Sequence, residues 1–385
     1  MSKKLKLGMV GGSLDAFIGD VHRKAAALDG NYELICGAFS SNPDKSKKTG
    51  DALGLESSRV YGSYKEMFEA ESKLPDDEKM EAVSIVTPNH VHFEPAKLAL
   101  EHGFHVIIDK PLAFSLDEAK ELKKIVDKTG NVLALTHTYT GYPMVKEAKE
   151  YVRTGKIGKV TKIYVEYPQG WLATPLEQEG NKQASWRTDP EKSGAGGAIG
   201  DIGTHAANLA EYVSGLNITH ISADLQITVK NRRLDDDSAA LLKFEKDATG
   251  VLMATQIAAG EENDLKLRVY GEEAGLEWTH TNPNTLLYKP LNEPAQILRA
   301  GTGYLSEAAT SNTRTPAGHP EGYLEAFANL YVAFYKAVKD HQEGSLKSIE
   351  EYDFPDVNDG IRGMAFVDTM IKSSNSDKKW TEYLK

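Results

Sequence analysis

The stretch Leu5-Lys6-Leu7-Gly8-Met9-Val10-Gly11-Gly12-Ser13 decides the fold of the N-terminal part of this chain. Its apolar half predicts a buried β-strand, and its glycines predict a tight turn directly after that strand. A helical pattern follows, and strand and helix patterns then alternate as far as Leu135. Because this alternation is typical of right-handed βαβ units, the sequence predicts an α/β domain with a parallel sheet.

The predicted strands of this first part lie at 5–10, 32–39, 60–61, 82–86, 105–108 and 132–135. After about residue 140 the pattern changes to longer strands of alternating polarity, at 160–167, 220–229, 239–244, 251–257, 265–270 and 275–279. Such a series predicts a mostly antiparallel sheet with one covered face. We expect helices 202–214 and 323–340 to cover that face, and residues 281–320 to form extended loops. The chain thus divides into two predicted domains, 1–138 and 139–385.

The composition limits the kind of partner. The 385 residues are 40% hydrophobic and 26% charged, which is ordinary for a globular protein, and the net charge is −11. An acidic chain without basic clusters argues against a nucleic-acid partner. Cys36 is the single cysteine, so an intramolecular disulfide and a cysteine metal cluster are both excluded. We find no signal peptide and no apolar run of about 20 residues, and therefore expect a cytoplasmic protein without membrane contact.

The glycines after the first strand point to a phosphate-binding turn. Gly11, Gly12 and Ser13 lead into a helix whose N-terminal N–H groups can bind an anion, as in dinucleotide-binding folds. The match to G-x-G-x-x-G is imperfect, because Ser13 replaces a glycine and Gly19 stands too far along the chain. The second strand ends at Ser40-Ser41, without the acid that binds the ribose of NAD and without an arginine for the phosphate of NADP. The choice between NAD and NADP stays open, with NAD slightly favoured.

Polar residues follow the later strands of the predicted parallel sheet. Thr87-Pro88-Asn89 comes after the strand at 82–86, and Lys110-Pro111 after the strand at 105–108. The carboxyl ends of parallel strands line the crevice where ligands bind in such sheets. A lysine there can lower the pKa of a hydroxyl group or relay its proton. The alternative is an exposed lysine at a strand end.

A glycine-rich segment near the middle of the chain carries an aspartate and a histidine. Asp201 and His205 are spaced to share one face of a helix. Histidine is a natural base for a hydroxyl proton near neutral pH, and a nearby carboxylate can orient the imidazole. The alternatives are an N-capping aspartate with a buried histidine, or a metal pair. Since no third ligand is evident, we predict no metal.

Taken together, these motifs resemble the glucose–fructose oxidoreductase / inositol dehydrogenase / MocA family. The shared pieces are Gly11-Gly12, Thr87-Pro88-Asn89 with His92, Asp109-Lys110-Pro111, and Gly196-Gly197-Ala198-Ile199-Gly200-Asp201-Ile202-Gly203-Thr204-His205. The family's usual Glu-Lys-Pro is Asp-Lys-Pro here. The resemblance implies an N-terminal Rossmann fold and a C-terminal open, mostly antiparallel sheet domain that mediates homodimers or homotetramers.

The resemblance also implies roles for single residues. His205 is expected to be the general base on a ring hydroxyl, Lys110 to bind that oxygen, and Asp201 to bind substrate and tune the pair. Hydride would pass to the nicotinamide of NAD or NADP. The expected cofactor-binding residues are Gly11, Gly12, Ser13, Ser40, Ser41, Thr87, Pro88, Asn89, His92, Asp109, Lys110, Trp186 and Arg187.

Further residues suit a carbohydrate pocket, although each is also compatible with ordinary packing. They are His137, Tyr139, Gln169, Trp171, His319 and Tyr323, beside Asp201 and His205. The expected substrate is a sugar, anhydrosugar, glycoside or cyclitol. One alternative is a redox-neutral glycosidase or epimerase that uses transient ring oxidation, with His137 or Tyr139 as the extra base. Another is a non-catalytic nucleotide sensor, which the presence of Lys110 and His205 disfavours.

Overall fold

The structure is a computed structural model that describes residues 3–384. Contacts divide the chain into two compact units. The first contains the residues up to Thr138 together with Tyr323–Ile361, and the second contains Tyr139–Gly322 and the residues from Arg362 onward. The sequence-based division placed a boundary after residue 138, and by contacts the second unit begins at Tyr139. Residues 323–361, which the sequence-based division assigned to the second domain, belong instead to the first unit.

Parallel strands alternating with helices build the first unit. Within the described residues its sheet has the strand order β2-β1-β3-β4-β5 and every pairing is parallel. Val60, predicted as a strand, makes only an isolated bridge to Gly37. The strands are β1 Leu5–Gly11, β2 Tyr32–Ala38, β3 Ala82–Val86, β4 His105–Asp109 and β5 Leu133–Thr136, and the helices are α1 Phe17–Leu28, α2 Pro43–Ala52, α3 Tyr64–Glu71, α4 Phe93–Glu101 and α5 Leu116–Thr129.

Local sequence accounts for these elements. All residues of β3 are buried, as expected of a central parallel strand covered on both faces. Helix α5 begins after Ser115, whose side chain accepts a hydrogen bond from the Glu118 N–H, and it ends at Gly130 with φ of 70°. Its buried residues are Ala119, Leu122 and Ile125, one apolar face of an amphipathic helix. The parallel sheet predicted from this alternation is confirmed.

A long helix from the C-terminal half completes the core of the first unit. Helix α11, Tyr323–Gln342, places Phe327, Tyr331 and Phe334 in one hydrophobic cluster with Leu5 and Leu7 of β1. We predicted that this helix covers the antiparallel sheet, and that prediction is wrong. Its apolar face alone could not reveal which sheet it covers, because both sheets offer an apolar surface.

The second unit is built on a sheet of order β13-β12-β11-β10-β6-β9-β8-β7-β14 within the described residues. Only the β6–β9 pairing is parallel there, so the sheet is mostly antiparallel as predicted. Residues 281–320 are not loops throughout, because β12 and β13 lie within them. The strands are β6 Val160–Pro168, β7 Ile218–Gln226, β8 Asp237–Phe244, β9 Thr249–Thr255, β10 Lys266–Gly271, β11 Ala274–Thr279, β12 Thr285–Pro290, β13 Gln296–Arg299 and β14 Thr381–Glu382.

Helices cover one face of this sheet, and α9 packs against β6, β9 and β10. Along β8, Ser238, Ala240, Leu242 and Phe244 are buried while the residues between them are exposed or partly exposed, which is the alternation of a half-buried strand. No helix of residues 3–384 is long and apolar enough to cross a membrane. The remaining helices are α6 Pro143–Arg153, α7 Lys182–Arg187, α8 Pro190–Ser193, α9 Thr204–Ser214, α10 Glu307–Thr310 and α12 Val357–Ser374.

Candidate active site

The glycine loop of the first unit is a tight turn in which the backbone carries no side chains at Gly11 and Gly12. Gly11 and Gly12 have φ of 82° and 74°, a region that favours glycine. A Cβ atom on Gly19 would lie 2.3 Å from the Cα of Gly12, so α1 packs directly against the loop. The Ala16 N-cap of α1 makes no side-chain hydrogen bond to the first turn. A close backbone turn beside the N-terminus of a helix fits the pyrophosphate of a dinucleotide.

An ion pair joins this loop to the helix that follows β2. The Ser13 hydroxyl donates to the Asp15 carboxylate at 2.7 Å, and Lys45 Nζ lies 2.7 Å from the same carboxylate. The hydrogen bonds from Lys45 and then from Ser13 hold the pKa of Asp15 well below its usual range. Ser40 accepts a hydrogen bond from the Asn42 N–H at 3.2 Å, and Ser41 is exposed. Lys45, a cation close to the end of β2, is therefore already engaged by Asp15.

The strand ends predicted to bind the cofactor meet where the strand order reverses. Gly11 of β1 is in register with Val86 of β3, which places the glycine loop beside Thr87. Pro88 is exposed and Asn89 is partly buried. His92, however, is fully buried, with its ring nitrogens 2.6 Å from the Pro111 carbonyl oxygen and 2.8 Å from that of Thr87. His92 therefore ties two strand ends together, and burial lowers its pKa.

Lys110 follows β4 and is partly exposed, next to the partly buried Asp109 and near the buried His137. The Asp109 carboxylate accepts a hydrogen bond from the Thr136 hydroxyl at 2.8 Å and lies 3.6 Å from Nε2 of His22. Burial raises the pKa of Asp109, but its contacts with His22 and the charge of Lys110 outweigh burial and lower that pKa overall. Burial, assisted by the charge of Lys110, lowers the pKa of His137 to about 3. His137 is therefore neutral at physiological pH.

In the second unit, Asp201 lies on a π-helical turn, Ile199–Gly203, at the entry to the helix that we predicted at 202–214. His205 lies in the first turn of α9, directly after that turn. The Asp201 carboxylate accepts hydrogen bonds from Arg187 Nε at 3.1 Å and from Gln256 Nε2 at 2.9 Å. The ring of Tyr139 meets the His205 ring edge to face, with centroids 5.0 Å apart. A carboxylate and a buried imidazole are thus mounted on consecutive helical turns.

A hydrogen-bonded network extends from Asp201 through amide side chains. Besides binding Asp201, Gln256 Nε2 lies 3.3 Å from Oε1 of Gln169, which also accepts a hydrogen bond from Trp171 Nε1 at 3.0 Å. Gln169 Nε2 donates in turn to Asn263 Oδ1 at 2.6 Å. Each amide is therefore oriented by at least two partners.

Aromatic hydroxyls continue this network on its other side. Asn263 Oδ1 accepts a hydrogen bond from the Tyr167 hydroxyl at 2.7 Å, and Asn263 Nδ2 donates to the Tyr139 hydroxyl at 3.0 Å. The hydroxyl groups of Tyr139 and Tyr167 also form a hydrogen bond with each other. His280 Nε2 lies 3.0 Å from the Tyr142 hydroxyl. The result is a hydrogen-bonded cluster of amide, histidine and tyrosine side chains, in which the three tyrosines are buried.

Three further predicted site residues contact groups within their own units. Arg187, expected near the cofactor, pairs with Asp201, and its guanidinium lies 4.2 Å from the ring centre of Trp186. His319 is exposed in a loop of the second unit, where Nδ1 lies 3.3 Å from the Pro316 carbonyl oxygen. Tyr323 begins α11 in the first unit, and its ring packs 5.5 Å from that of Phe327.

Comparison with known protein families decides the identity of both units. Residues 5–137 match the model of the oxidoreductase family with an NAD-binding Rossmann fold, and residues 145–277 match the model of the GFO/IDH/MocA C-terminal domain. The chain belongs to the GFO/IDH/MocA oxidoreductase family. The resemblance drawn from the glycine loop, Asp109-Lys110-Pro111 and the segment ending at His205 is thereby confirmed, as are the Rossmann domain and the class of enzyme.

Several known proteins are similar over the whole chain. An oxidoreductase of Sinorhizobium meliloti is 45% identical, with a TM-score of 0.88 over 99% of this chain and 100% of that one. An inositol dehydrogenase homolog of Azotobacter vinelandii, solved with NAD⁺, is 33% identical, with a TM-score of 0.95 over 100% and 98%. The same homolog was also solved with NADH and myo-inositol. Levoglucosan dehydrogenase of Pseudarthrobacter phenanthrenivorans is 26% identical over 99% of this chain and 98% of its own.

Sequence reasoning missed part of the network in this GFO/IDH/MocA chain, namely Gln256, Asn263, His280 and Tyr142. Gln169 and Gln256 come together because β6 and β9 are parallel neighbours, with Pro168 paired to Thr255. Because that pairing joins segments far apart in the sequence, no local sequence pattern predicts it. Gly19 is different, because a glycine at the start of a helix after a glycine loop is itself a signal of close packing.

Proposed function

We propose that this protein oxidises a ring CH–OH group of an uncharged sugar, anhydrosugar, glycoside or cyclitol, with NAD as hydride acceptor. Family membership supports the oxidoreductase chemistry and the NAD-binding domain. The relatives named for inositol and levoglucosan support a cyclic polyol or anhydrosugar as the kind of substrate.

The observation that carries this proposal is the pairing of Asp201 with Arg187 and Gln256 beside His205. Because the guanidinium balances the carboxylate, this pair adds little net charge for a charged substrate to recognise. The neighbouring amides and tyrosine hydroxyls offer both donors and acceptors, which is what a neutral polyol requires. Trp171 and Tyr139 add aromatic surface for the C–H faces of a ring.

In the proposed reaction, His205 removes the hydroxyl proton of the substrate as general base. Lys110 binds the same oxygen and lowers the pKa of the hydroxyl through its positive charge. Asp201 binds a neighbouring hydroxyl group of the substrate and tunes His205 and Lys110. When bound, NAD supplies the nicotinamide C4 atom that accepts the hydride.

We favour NAD over NADP for a local reason. Ser40 and Ser41 follow β2 without an arginine, and Lys45 is held by Asp15 at 2.7 Å. A second phosphate at the ribose would have to compete with that carboxylate for the lysine. The hydroxyl groups of Ser40 and Ser41 suit an unphosphorylated ribose.

The test is to incubate the protein with NAD⁺ or NADP⁺ and a panel of inositols, anhydrosugars, glycosides and free sugars. Formation of one reduced nicotinamide per substrate consumed, faster with NAD⁺, is the expected result. Consumption of substrate without accumulation of reduced nicotinamide would instead establish the redox-neutral glycosidase or epimerase chemistry. The extra base that such chemistry needs is poorly supplied, since burial lowers the pKa of His137 and raises that of Tyr139.

We also propose that the protein forms homodimers or homotetramers, as the family resemblance implies. Leu241 on β8 and Ile297 on β13 leave apolar side chains 48% and 62% exposed, and β-sheet surfaces of this kind are common at subunit contacts. Light scattering at several concentrations tests the proposal, and a concentration-independent monomer would overturn it.

A further inference from the structure

One buried aspartate receives the N–H groups of three consecutive residues at the start of the segment that carries Asp201. Gly197 N donates to Asp235 Oδ1 at 2.6 Å, and Ile199 N donates to Oδ2 at 2.8 Å. Between them, Ala198 N donates to the backbone carbonyl oxygen of Asp235 at 2.9 Å. Asp235 is 8% exposed, so these bonds are shielded from water.

This arrangement requires close contact between two backbone segments. A Cβ atom on Gly197 would lie 2.0 Å from the Asp235 carbonyl oxygen, a distance that no side chain tolerates. Gly197 is therefore a glycine because it allows this approach, and its φ is not in the left-handed region. The glycine-rich segment is therefore held in place at Gly197 by its hydrogen bonds to Asp235.

The pinned residues lead directly into the candidate catalytic groups. The π-helical turn begins at Ile199, and Asp201 N donates to the Gly197 carbonyl oxygen at 2.9 Å. Helix α9, with His205 in its first turn, follows that turn without interruption. π-Helical turns are rare and often mark functional sites, because they place a side chain where an α-helix would not. A shift of Gly197 or Ile199 would therefore move both Asp201 and His205.

We propose that Asp235 is a positioning residue, which holds the turn Ile199–Gly203 so that Asp201 and His205 keep their catalytic geometry. The proposal rests on the proposed function, in which these two residues take part in the reaction. Asp235 itself contacts backbone N–H groups in this role and neither substrate nor cofactor.

The cost of burying the Asp235 carboxylate indicates that this residue positions the turn and does not stabilise the fold. Burial raises its pKa to about 6, although the hydrogen bonds from the Ile199 and Gly197 N–H groups act in the opposite direction. At neutral pH the carboxylate is ionised and accepts both N–H groups. Keeping a buried ionised carboxylate costs folding free energy, so it is the capping geometry that this residue supplies.

The next residue in the chain is a natural control. Asp236 is 2% exposed and accepts hydrogen bonds from the N–H groups of Thr228 and Val229 at 2.8 and 2.9 Å. It also pairs with Arg232 at 3.3 Å. Like Asp235, Asp236 is a buried aspartate whose carboxylate accepts two backbone N–H groups, but it holds the segment after β7 and not the turn that carries Asp201.

The experiment compares Asp235→Asn with Asp236→Asn, each tested for thermal unfolding, amide hydrogen exchange and steady-state kinetics. Asparagine keeps the size of the side chain but turns an NH₂ group toward one of the two N–H donors. For Asp235→Asn we expect faster exchange in peptides covering 194–205 and a kcat lowered about 10- to 100-fold, with KM changed less. For Asp236→Asn we expect faster exchange near 226–231 and a kcat within about threefold of the original.

Unchanged exchange at 194–205, an unchanged kcat, or an equal loss of kcat in Asp236→Asn would each overturn the proposal. If Asp235→Asn does not fold, Asp235→Ser, whose hydroxyl can accept one of the N–H groups, takes its place with the same expected pattern. A His205→Ala variant with full activity would refute the proposed function instead. Amide exchange would then still show whether Asp235 holds the turn, because that measurement does not depend on catalysis.

Discussion

The glycine loop of the first unit and the glycine-rich segment of the second unit both lead into a helix, but they use their backbone N–H groups differently. At the start of α1 the Ala16 N-cap makes no side-chain hydrogen bond, and the loop backbone lies against Gly19. At the start of the Asp201 turn, three N–H groups are bound by Asp235. The first arrangement keeps a helix start available to an anionic ligand, and the second makes it a rigid support for reactive side chains.

The largest expected effect is a loss of catalysis without a loss of NAD⁺ binding, when the reacting side chains are removed. His205→Ala and Lys110→Ala should each lower kcat about 10²- to 10⁴-fold, because proton transfer and oxyanion binding are lost. The Kd for NAD⁺, measured by calorimetry, should stay within about threefold because the glycine loop is intact. His220→Ala on β7 is a matched histidine control and should keep its activity. A rate near that of the unaltered protein in either variant would contradict the site.

A methyl group on α1, placed against the glycine loop, should destabilise the first unit and weaken NAD⁺ binding. Gly19→Ala puts a Cβ atom 2.3 Å from the Gly12 Cα, so α1 must shift. We expect a loss of about 1–3 kcal/mol in the free energy of unfolding and a Kd for NAD⁺ raised at least about tenfold. Denaturant unfolding and calorimetry measure both.

Gly363→Ala provides the control for that substitution. Gly363 lies inside α12, where a Cβ atom would meet no other packed group within 4 Å, and its φ is ordinary. Alanine there should stabilise the protein by about 0.5–1 kcal/mol, because it lowers the entropy of the unfolded chain. If Gly19→Ala behaved like Gly363→Ala, the close packing of α1 on the loop would be refuted.

A smaller effect is expected from the side-chain network of the second unit. Gln256→Leu removes the hydrogen bond from Gln256 to the Asp201 carboxylate and leaves Arg187 in place. We expect KM for the substrate to rise about tenfold, equivalent to about 1.5 kcal/mol, with NAD⁺ binding unchanged. Gln226→Leu, at an exposed position of β7, should leave KM unaltered. Equal KM values in the two variants would show that Gln256 does not orient Asp201.

The smallest effect is a difference in the pH dependence of stability. Burial lowers the pKa of His105 in the first unit to about 3 from its ordinary 6.5, so the unfolded chain binds the proton first. Stability from this group is complete above pH 6.5 and is lost as the pH falls below it. Burial raises the pKa of Asp235 from 3.8 to about 6, with Asp236 adding to the rise. This group has the opposite sign, since its stability is complete below pH 3.8 and is lost as the pH rises through about 6.

Urea unfolding between pH 7 and pH 4 tests these opposite slopes. Relative to the unaltered protein, His105→Gln should lose less stability on acidification, and Asp235→Asn should lose more, each by about 1 kcal/mol. Parallel curves for all three proteins would refute both assignments.

The sequence alone determined the parts of this protein that depend on neighbouring residues. The order of strands and helices in the first unit, the glycine loop, the strand-end position of Lys110 and the adjacency of Asp201 and His205 all follow from local pattern, because backbone preference and hydrophobic period act over a few residues.

Only the tertiary structure decided which distant groups meet. It assigned α11 to the first unit, formed a π-helical turn at Asp201, and brought Gln256 to Asp201 through the parallel pairing of β6 and β9. It also turned Asp235 into the cap of a segment nearly forty residues earlier in the chain. Such contacts depend on sheet order and helix packing, which are set by the burial of the whole core and not by any single stretch of sequence.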